Sequence, residues 1–377
     1  MNKLNESVDF ADPQGRQQLG KLSPIKPLAA NNLPSTSTFN LDQFVITDLQ
    51  EIKAMLDNDN WVLDKLALEG QITVFFAAPN SGKTLLTLKL LIDSVKAKRI
   101  IGEQIYYLNC DDTLRGLDTK LELCAKYGIK MLASGYNGFK NTHLIAMLDM
   151  MARNDDAKGK ILILDTLKKF SDLMNKTESS AFNEAMRGFV SKGGTVIALG
   201  HVNKARSAEG KVIHQGTTDT VDDADCAYTI NVVNTVDDSF QGHKFTTKTI
   251  LFENFKARGD NVNKVSYTYT KRDGGSYEAM LDSVKLVDER DAEQAEKQGR
   301  VKAKLDDNAE EIELILEALD KGINTTQAII ADLMGEGVSR ARASKVLKAH
   351  TGDRLFEGHC WQMEKGDKNE RIFRRLF

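Results

Sequence analysis

The eight residues Ala77-Ala78-Pro79-Asn80-Ser81-Gly82-Lys83-Thr84 constrain this chain more than any other stretch. They follow a short apolar run, Ile72-Thr73-Val74-Phe75-Phe76, and precede Leu85 to Val95, whose spacing predicts a helix. Strand, tight loop and helix form the setting in which backbone N–H groups close around a phosphate, helped by the positive end of the helix dipole. The nucleotide contacts then fall on Ala78, Pro79, Asn80, Ser81, Gly82, Lys83, Thr84 and Leu85. Lys83 brings a charge to the β- and γ-phosphates, and the Thr84 hydroxyl binds Mg²⁺. Loops of this kind usually open with Gly, and Ala77 stands there, so its backbone must stay in a region open to an L-residue. The plain alternative is a polar turn. The flanking strand and helix favour an ATP and Mg²⁺ site.

A chain of 377 residues has room for one large α/β domain and a smaller one. The net charge of −3 rules out a polycation, so nucleic-acid contacts must come from local patches. Cys110, Cys124, Cys226 and Cys360 show no CxxC pairing and no metal spacing, as expected of buried thiols in a reducing cytosol. No basic-then-apolar leader and no apolar run of about eighteen residues is present, so the expected location is cytoplasmic, with no membrane partner.

Residues 1–40 are rich in Asn, Gln, Ser, Pro and Gly and predict a disordered tail. Phe44, Val45, Leu49, Ile52, Met55 and Leu56 recur at helical spacing and predict a helix over 42–57, packed on its own domain or on a neighbouring subunit. Gln104 to Asn109 reads as a strand ending in Cys110-Asp111-Asp112, on the edge where open α/β sheets bind ligands. Asp111 is the candidate to orient or deprotonate the attacking water; the alternative is that Asp112 or Thr113 caps the following helix. Lys160 to Asp165 is an apolar run ending in one carboxylate, the Walker B pattern, in which Asp165 holds Mg²⁺ through water; the alternative is an Asp that only caps a helix. Lys168 to Phe182 reads as a polar loop carrying Lys168, Lys169 and Lys176.

Thr195 to Gly200 predicts another buried strand, with His201 at its edge placed to sense the γ-phosphate or, alternatively, to serve structure alone. The loop from Lys204 to Gln215 carries Lys204, Arg206 and Lys211 and is a candidate DNA contact if it faces a pore. Cys226–Val233 and Thr246–Phe255 read as strands, and Val265–Thr270 with Tyr277–Leu281 as an antiparallel edge. Lys256 and Arg258 stand two apart on an extended segment and project the same way, either as a surface pair or as an arginine finger placed in a neighbour's site.

In their order, Ala77–Thr84, the carboxylates after Leu108, Asp165, His201-Val202-Asn203-Lys204, Asp223-Ala224-Asp225 and Lys256-Ala257-Arg258-Gly259 resemble the RecA-fold ATPases. The Asp-Ala-Asp and Lys-x-Arg elements resemble the DnaB-type hexameric replicative helicases, and the His-x-x-Lys element their RepA-like plasmid and phage branch. The resemblance covers about residues 45–282. In that family the carboxylate after the second strand is normally Glu, and here it is Asp111. The resemblance implies a RecA-like α/β core and a homo-oligomeric ring, a hexamer, that moves on single-stranded DNA with ATP hydrolysed between subunits. A loader or remodeller that does not unwind, or an ATP-switched DNA-binding regulator, remains the alternative.

Asp282–Asp307 is strongly charged and reads as a linker or exposed helix. Beyond it, Glu310–Leu319, Thr325–Met334 and Ser339–His350 predict three helices, with Gly335 and Gly337 turning the second into the third. Leu355–Glu364 and Glu370–Leu376 read as two strands, and the whole of 308–377 resembles a winged helix. Arg340, Arg342, Lys345 and Lys348 on the third helix, with Lys365, Lys368 and Arg371 on the wing, are its candidate contacts to duplex DNA, a protein partner being the alternative.

Overall fold

The runs that read as fully apolar become the centre of one sheet. The computed structural model describes Val45 and residues 60–170, 176–206, 212–214, 218–240, 242–366 and 370–376. The expected tail over 1–40 and helix over 42–57 lie outside the described residues, Val45 apart, as do Lys211 and Lys368. In chain order the core comprises β1 (Trp61–Leu63), β2 (Ala67–Leu68), β3 (Ile72–Ala77), α1 (Lys83–Lys96), β4 (Ile105–Asn109), α2 (Leu114–Lys126), β5 (Lys130–Ala133), α3 (Leu144–Arg153), β6 (Ile161–Asp165), α4 (Lys176–Ser191), β7 (Thr195–Arg206), β8 (Val212–His214), α5 (Thr218–Asp223), β9 (Cys226–Phe240), β10 (His243–Ala257), β11 (Lys264–Arg272), α6 (Tyr277–Asp282) and β12 (Lys285–Val287).

The sheet runs β12-β11-β10-β9-β3-β7-β6-β4-β5, with β8 on the outer end of β7. From β9 to β5 neighbours are parallel; β10, β11 and β12 add antiparallel strands at one side. Parallel strands need cover on both faces, and they have it. Leu86, Leu123 and Leu281, from α1, α2 and α6, join the core on one face with Phe75 and Tyr107; Leu148, Phe182 and Phe189, from α3 and α4, join that on the other with Val74 and Leu164.

Several elements depart from the sequence reading. Tyr277–Leu281 is helical, because Ser276 caps it by accepting from the Ala279 N–H and because Tyr277, Met280 and Leu281 fall on one helical face. The edge strand is instead β12. The expected loop over 168–182 is cut short, since α4 begins at Lys176 and buries Phe182, Ala185, Met186 and Phe189 at helical spacing. β7 carries on through His201 to Arg206, and β9 and β10 reach Phe240 and back from His243, so both late strands are longer than their apolar parts.

The charged stretch is a helix, α7 (Glu289–Asp307), with no fully buried residue. It lies against β9 through Lys302, which donates to the Thr235 carbonyl at 3.1 Å, and through Gly299, where a Cβ would stand 1.6 Å from the Val233 carbonyl oxygen. Only glycine lets the helix come that close. There follow α8 (Ala309–Asp320), α9 (Thr326–Gly335), α10 (Arg340–Ala349) and the hairpin β13 (Trp361–Lys365) and β14 (Arg371–Arg375) around a separate core of Ile315, Ile329, Leu333, Val346, Trp361 and Phe373. Thr325 and Ser339 cap α9 and α10. Leu355–Glu357 is a single 3-10 turn closed by Gly358 at φ 82°, so the first strand starts later than its apolar run suggests. No helix among the described residues is long and apolar enough to cross a membrane.

Candidate nucleotide site

β3 stops at Ala77 while both neighbours continue. β7 passes His201, the partner of Ala77, and runs on to Arg206; β9 passes Ile230, its other partner, and runs on to Phe240. The loop after β3 therefore lies in a notch between two projecting strands. Ala77 ends β3 as a buried extended residue, and the left-handed positions are Asn80 at φ 60° and Gly82 at φ 89°. That resolves the departure from the usual leading Gly: no left-handed conformation falls on Ala77. At Gly82 a Cβ would stand 2.7 Å from Cε1 of Tyr269, so glycine is required there on two counts.

A cleft of about 730 Å³ opens above the loop, lined by Ala78, Pro79, Asn80, Ser81, Gly82, Lys83, Thr84 and Leu85 together with residues from α2, β7, β10, β11 and α6. The predicted nucleotide-contacting residues thus share one surface. Lys83 is buried, with its ammonium 3.7 Å from Asp165 Oδ1. Burial pulls its pKa down, and Asp165 opposes that shift. The Thr84 hydroxyl donates to Asp165 Oδ2 at 3.0 Å, so the two predicted metal-binding side chains touch. Tyr107, which sequence reasoning missed, donates to the same oxygen at 2.7 Å from the neighbouring strand β4. Burial and the Asp165 charge push the Tyr107 hydroxyl well above its usual range, which keeps it a donor.

The two carboxylates after β4 separate by environment. Asp112 accepts from Asn109 Nδ2 at 2.6 Å and from Lys120 of α2. It is tied into an ion pair, and Thr113 occupies the N-cap position of α2 without a side-chain bond. Asp111 is more exposed and turns toward His201, with Oδ2 4.0 Å from Nε2. Both ring nitrogens of His201 are buried without a hydrogen-bond partner among the described residues, and so is the Ser81 hydroxyl. Burial, then the cations Lys83 and Lys168, lower the His201 pKa, so the ring is neutral at pH 7.

Orphaned buried polar atoms call for a partner, and here they ring a loop that ends at a helix N-terminus. A hydroxyl and a carboxylate oxygen in contact are the hard-oxygen donors that Mg²⁺ takes, with phosphate and water completing its shell. The residues present therefore fit MgATP.

Lys256 and Arg258 lie elsewhere. The Arg258 N–H donates to the Asp225 carbonyl, and the Asp225 N–H to that of Ile72, at the start of β3. That is the sheet edge opposite the loop, about 17 Å away along the strand. Lys256 donates to the Val221 carbonyl at 2.7 Å and to that of Asp222; Arg258 donates to Asp225 Oδ1 at 3.3 Å. Asp225 also accepts from the Ile72 N–H and from Arg187, both at 2.9 Å. Arg187 was not singled out in the sequence, because only the fold brings α4 to this edge.

Lys204 and Arg206 fall within β7, on the stretch that projects past the phosphate loop. In the C-terminal module Arg340, Lys345, Lys348 and Lys365 are exposed. Arg342 is engaged: it donates to Glu311 Oε1 and Oε2 at 2.6 and 3.0 Å and to the Asp307 carbonyl at 2.7 Å, tying α10 to α8.

Residues 35–207 match the profile of the AAA domain family. A comparison with curated proteins gives no match. The chain thus carries an AAA-type P-loop NTPase domain within an α/β fold of mostly parallel strands.

Proposed function

We propose that the chain is an ATP-driven translocase and helicase of a plasmid, phage or other mobile element, acting on single-stranded DNA as a ring of head-to-tail copies. The observation that carries this reading is the placement of Lys256 and Arg258 at the sheet edge opposite the chain's own phosphate loop. A cation so placed cannot stabilise transition-state charge in its own subunit. A heterologous interface that closes into a ring, a hexamer in the family it resembles, would bring it to a neighbour's loop.

Within one subunit the geometry supports the following roles. Lys83 and the loop N–H groups would bind the phosphates, and the Thr84 hydroxyl and Asp165 would hold Mg²⁺, which when bound would offset phosphate charge. Tyr107 fixes Asp165 by donating to it. Asp111, which has no Lys or Arg ion pair among the described residues, accepts the proton of the attacking water, and neutral His201, 4.0 Å from Asp111 and within reach of the Lys83 charge, is where the loss of the γ-phosphate is felt. Lys204, Arg206 and Lys211 are proposed to meet the strand in the pore. The C-terminal module is proposed to be a winged helix that meets duplex DNA through Arg340, Lys345, Lys348, Lys365 and Lys368, with Arg342 ordering the recognition helix.

The test is strand displacement on forked and blunt duplexes with ATP, beside translocation on single strands. Unwinding of forks that Lys83→Ala abolishes supports the reading. DNA-stimulated hydrolysis with neither displacement nor translocation would move it to a loader or remodeller. Duplex binding gated by ATP without DNA-stimulated turnover would move it to a regulator.

A further inference from the structure

Four lysines from four elements reach the cleft above the phosphate loop: Lys83, Lys120, Lys248 and Lys271. Two already have carboxylate partners, Lys83 with Asp165 and Lys120 with Asp112. The other two do not. Lys248, half-buried on β10, donates to the Asn80 carbonyl of the phosphate loop at 3.3 Å, and no carboxylate among the described residues pairs with it or with Lys271 of β11. A carbonyl is a neutral acceptor, so neither ammonium is in direct contact with a carboxylate among the described residues, although Asp111 lines the same cleft.

Their register makes this a built arrangement. Thr246 faces Lys271 and Lys248 faces Tyr269 across the β10–β11 ladder, and alternate residues of a strand share a face. Thr246, Lys248, Tyr269 and Lys271 accordingly form one wall of the cleft, on strands that run past the end of β3. Tyr269 sets the wall against the loop at Gly82, and Lys248 ties it to Asn80. The loop N–H groups and the start of α1 take the inner phosphates. Lys248 enters beside Asn80, two residues ahead of the Gly82 cap of that helix, and so is set apart from the groups that take the inner phosphates.

We propose that Lys248, supported by Lys271, binds the terminal phosphate of a nucleoside triphosphate in cis and makes the isolated subunit prefer tri- over diphosphate before any neighbour contributes a cation. The proposal rests on the nucleotide reading of the loop but not on the ring. It assigns to β10 and β11 a ligand contact separate from that of Lys256 and Arg258, which lie at the other end of β10.

The test is equilibrium binding of a non-hydrolysable ATP analogue and of ADP, both with Mg²⁺, to the dilute full-length protein and to Lys248→Met, Lys248→Arg, Lys271→Met and the double methionine variant. A charge-assisted hydrogen bond predicts about a tenfold loss for the triphosphate in Lys248→Met, with ADP changed by less than about twofold. Lys271→Met should lose less, the double variant more, and Lys248→Arg should keep most of the preference. Equal losses for both nucleotides, or an unchanged ratio, would overturn the proposal and leave Lys248 as a brace for the loop. Should Lys248→Met not fold, Lys271→Met and Lys248→Arg read at rising salt decide: a ratio insensitive to both substitution and salt overturns it. A wild-type protein that binds neither nucleotide would instead remove the nucleotide reading beneath it.

Discussion

Where β3 runs into the phosphate loop, the Ser81 hydroxyl and both His201 ring nitrogens are buried without partners among the described residues, and none of those residues offers Lys248 or Lys271 a carboxylate. At the opposite end of the same strand, Asp225 holds the Ile72 N–H, Arg187 and Arg258 together, and Lys256 is closed by two carbonyls. The two ends differ in their charged groups: at the loop end two lysines have no carboxylate among the described residues, whereas at the other end each named charge has a partner, even though the Gln71 and Thr73 side-chain oxygens on either side of Ile72 are also buried without a partner among the described residues. Unfilled donors and acceptors cost free energy in an empty site and repay it when an anion arrives. At the other end Asp225 already holds the Arg258 guanidinium, which is half exposed, so it suits delivery of a positioned charge to something outside the subunit.

The largest expected effect tests that division directly. Lys83→Ala should abolish hydrolysis, and Arg258→Ala should reduce it by roughly a thousandfold while nucleotide binding stays near wild type. Mixed in one ring, the two inactive subunits should regain partial turnover, because some interfaces pair an intact loop with an intact guanidinium. Mixed rings that demonstrably form yet stay inactive at every ratio would end the shared-site account.

A smaller effect separates the two adjacent carboxylates. Asp111→Asn should slow turnover by roughly a hundredfold or more with little change in binding, as expected of a group acting on the attacking water. Asp112→Asn should chiefly release Lys120, affecting stability and binding more than the chemical step. If the two variants have the same kinetic profile, the geometric distinction between them has no functional content.

Stability measured without nucleotide sharpens the comparison further. Asp225→Asn should cost about 1–3 kcal/mol, since a buried carboxylate loses charge-assisted bonds to two arginines. Ser81→Ala removes a hydroxyl that has no partner among the described residues and should be neutral within about 0.5 kcal/mol. Urea unfolding of both reads the difference; comparable losses would show that the loop end is filled after all.

What the sequence disclosed follows the same line. The loop, Asp165 and the strand ends were legible because each is a local pattern whose meaning does not depend on distant residues. The two carboxylates after Leu108 looked alike in sequence, and only Lys120, eight residues on, distinguishes them. Lys248 and Lys271 gave no signal, since a lysine on a polar strand reads as solvated until the strand is known to overhang a loop about 170 residues earlier in the chain. The outer parts of β9 and β10 were missed for a related reason: Thr235, Asp237, Asp238 and Lys244 lack an apolar alternation, and their extended form is imposed by pairing. Tyr277–Leu281 was misread because five residues show too little period to tell a strand from a helix, whereas the Ser276 cap decides it.

The smallest predicted effect concerns two histidines that burial holds below the ordinary value of 6.5, one at the open site and one in a filled core. At His201 the cations Lys83 and Lys168 add to burial, while Asp111 and Asp165 oppose it. His350 is fully buried between α10 and the following turn; its Nδ1–H donates to the Gly358 carbonyl and its Nε2 accepts from Asn308. In both cases the folded protein takes up a proton less readily than the unfolded chain. Their stabilising balance is therefore complete above pH 6.5 and is eroded as the pH falls from 6.5 toward each depressed folded value, below which the loss stops growing. His201→Gln should flatten this acid limb while leaving stability near pH 7.5 almost unchanged, because neither ring nitrogen has a bond to lose. His350→Gln should flatten it too but lower stability at every pH, since two buried bonds go with the ring. Thermal unfolding at several values between pH 5.5 and 7.5 measures both. Parallel curves for wild type and His201→Gln would show that the ring at the open site gains its proton as easily folded as unfolded, and the charge arrangement drawn around the phosphate loop would have to be revised.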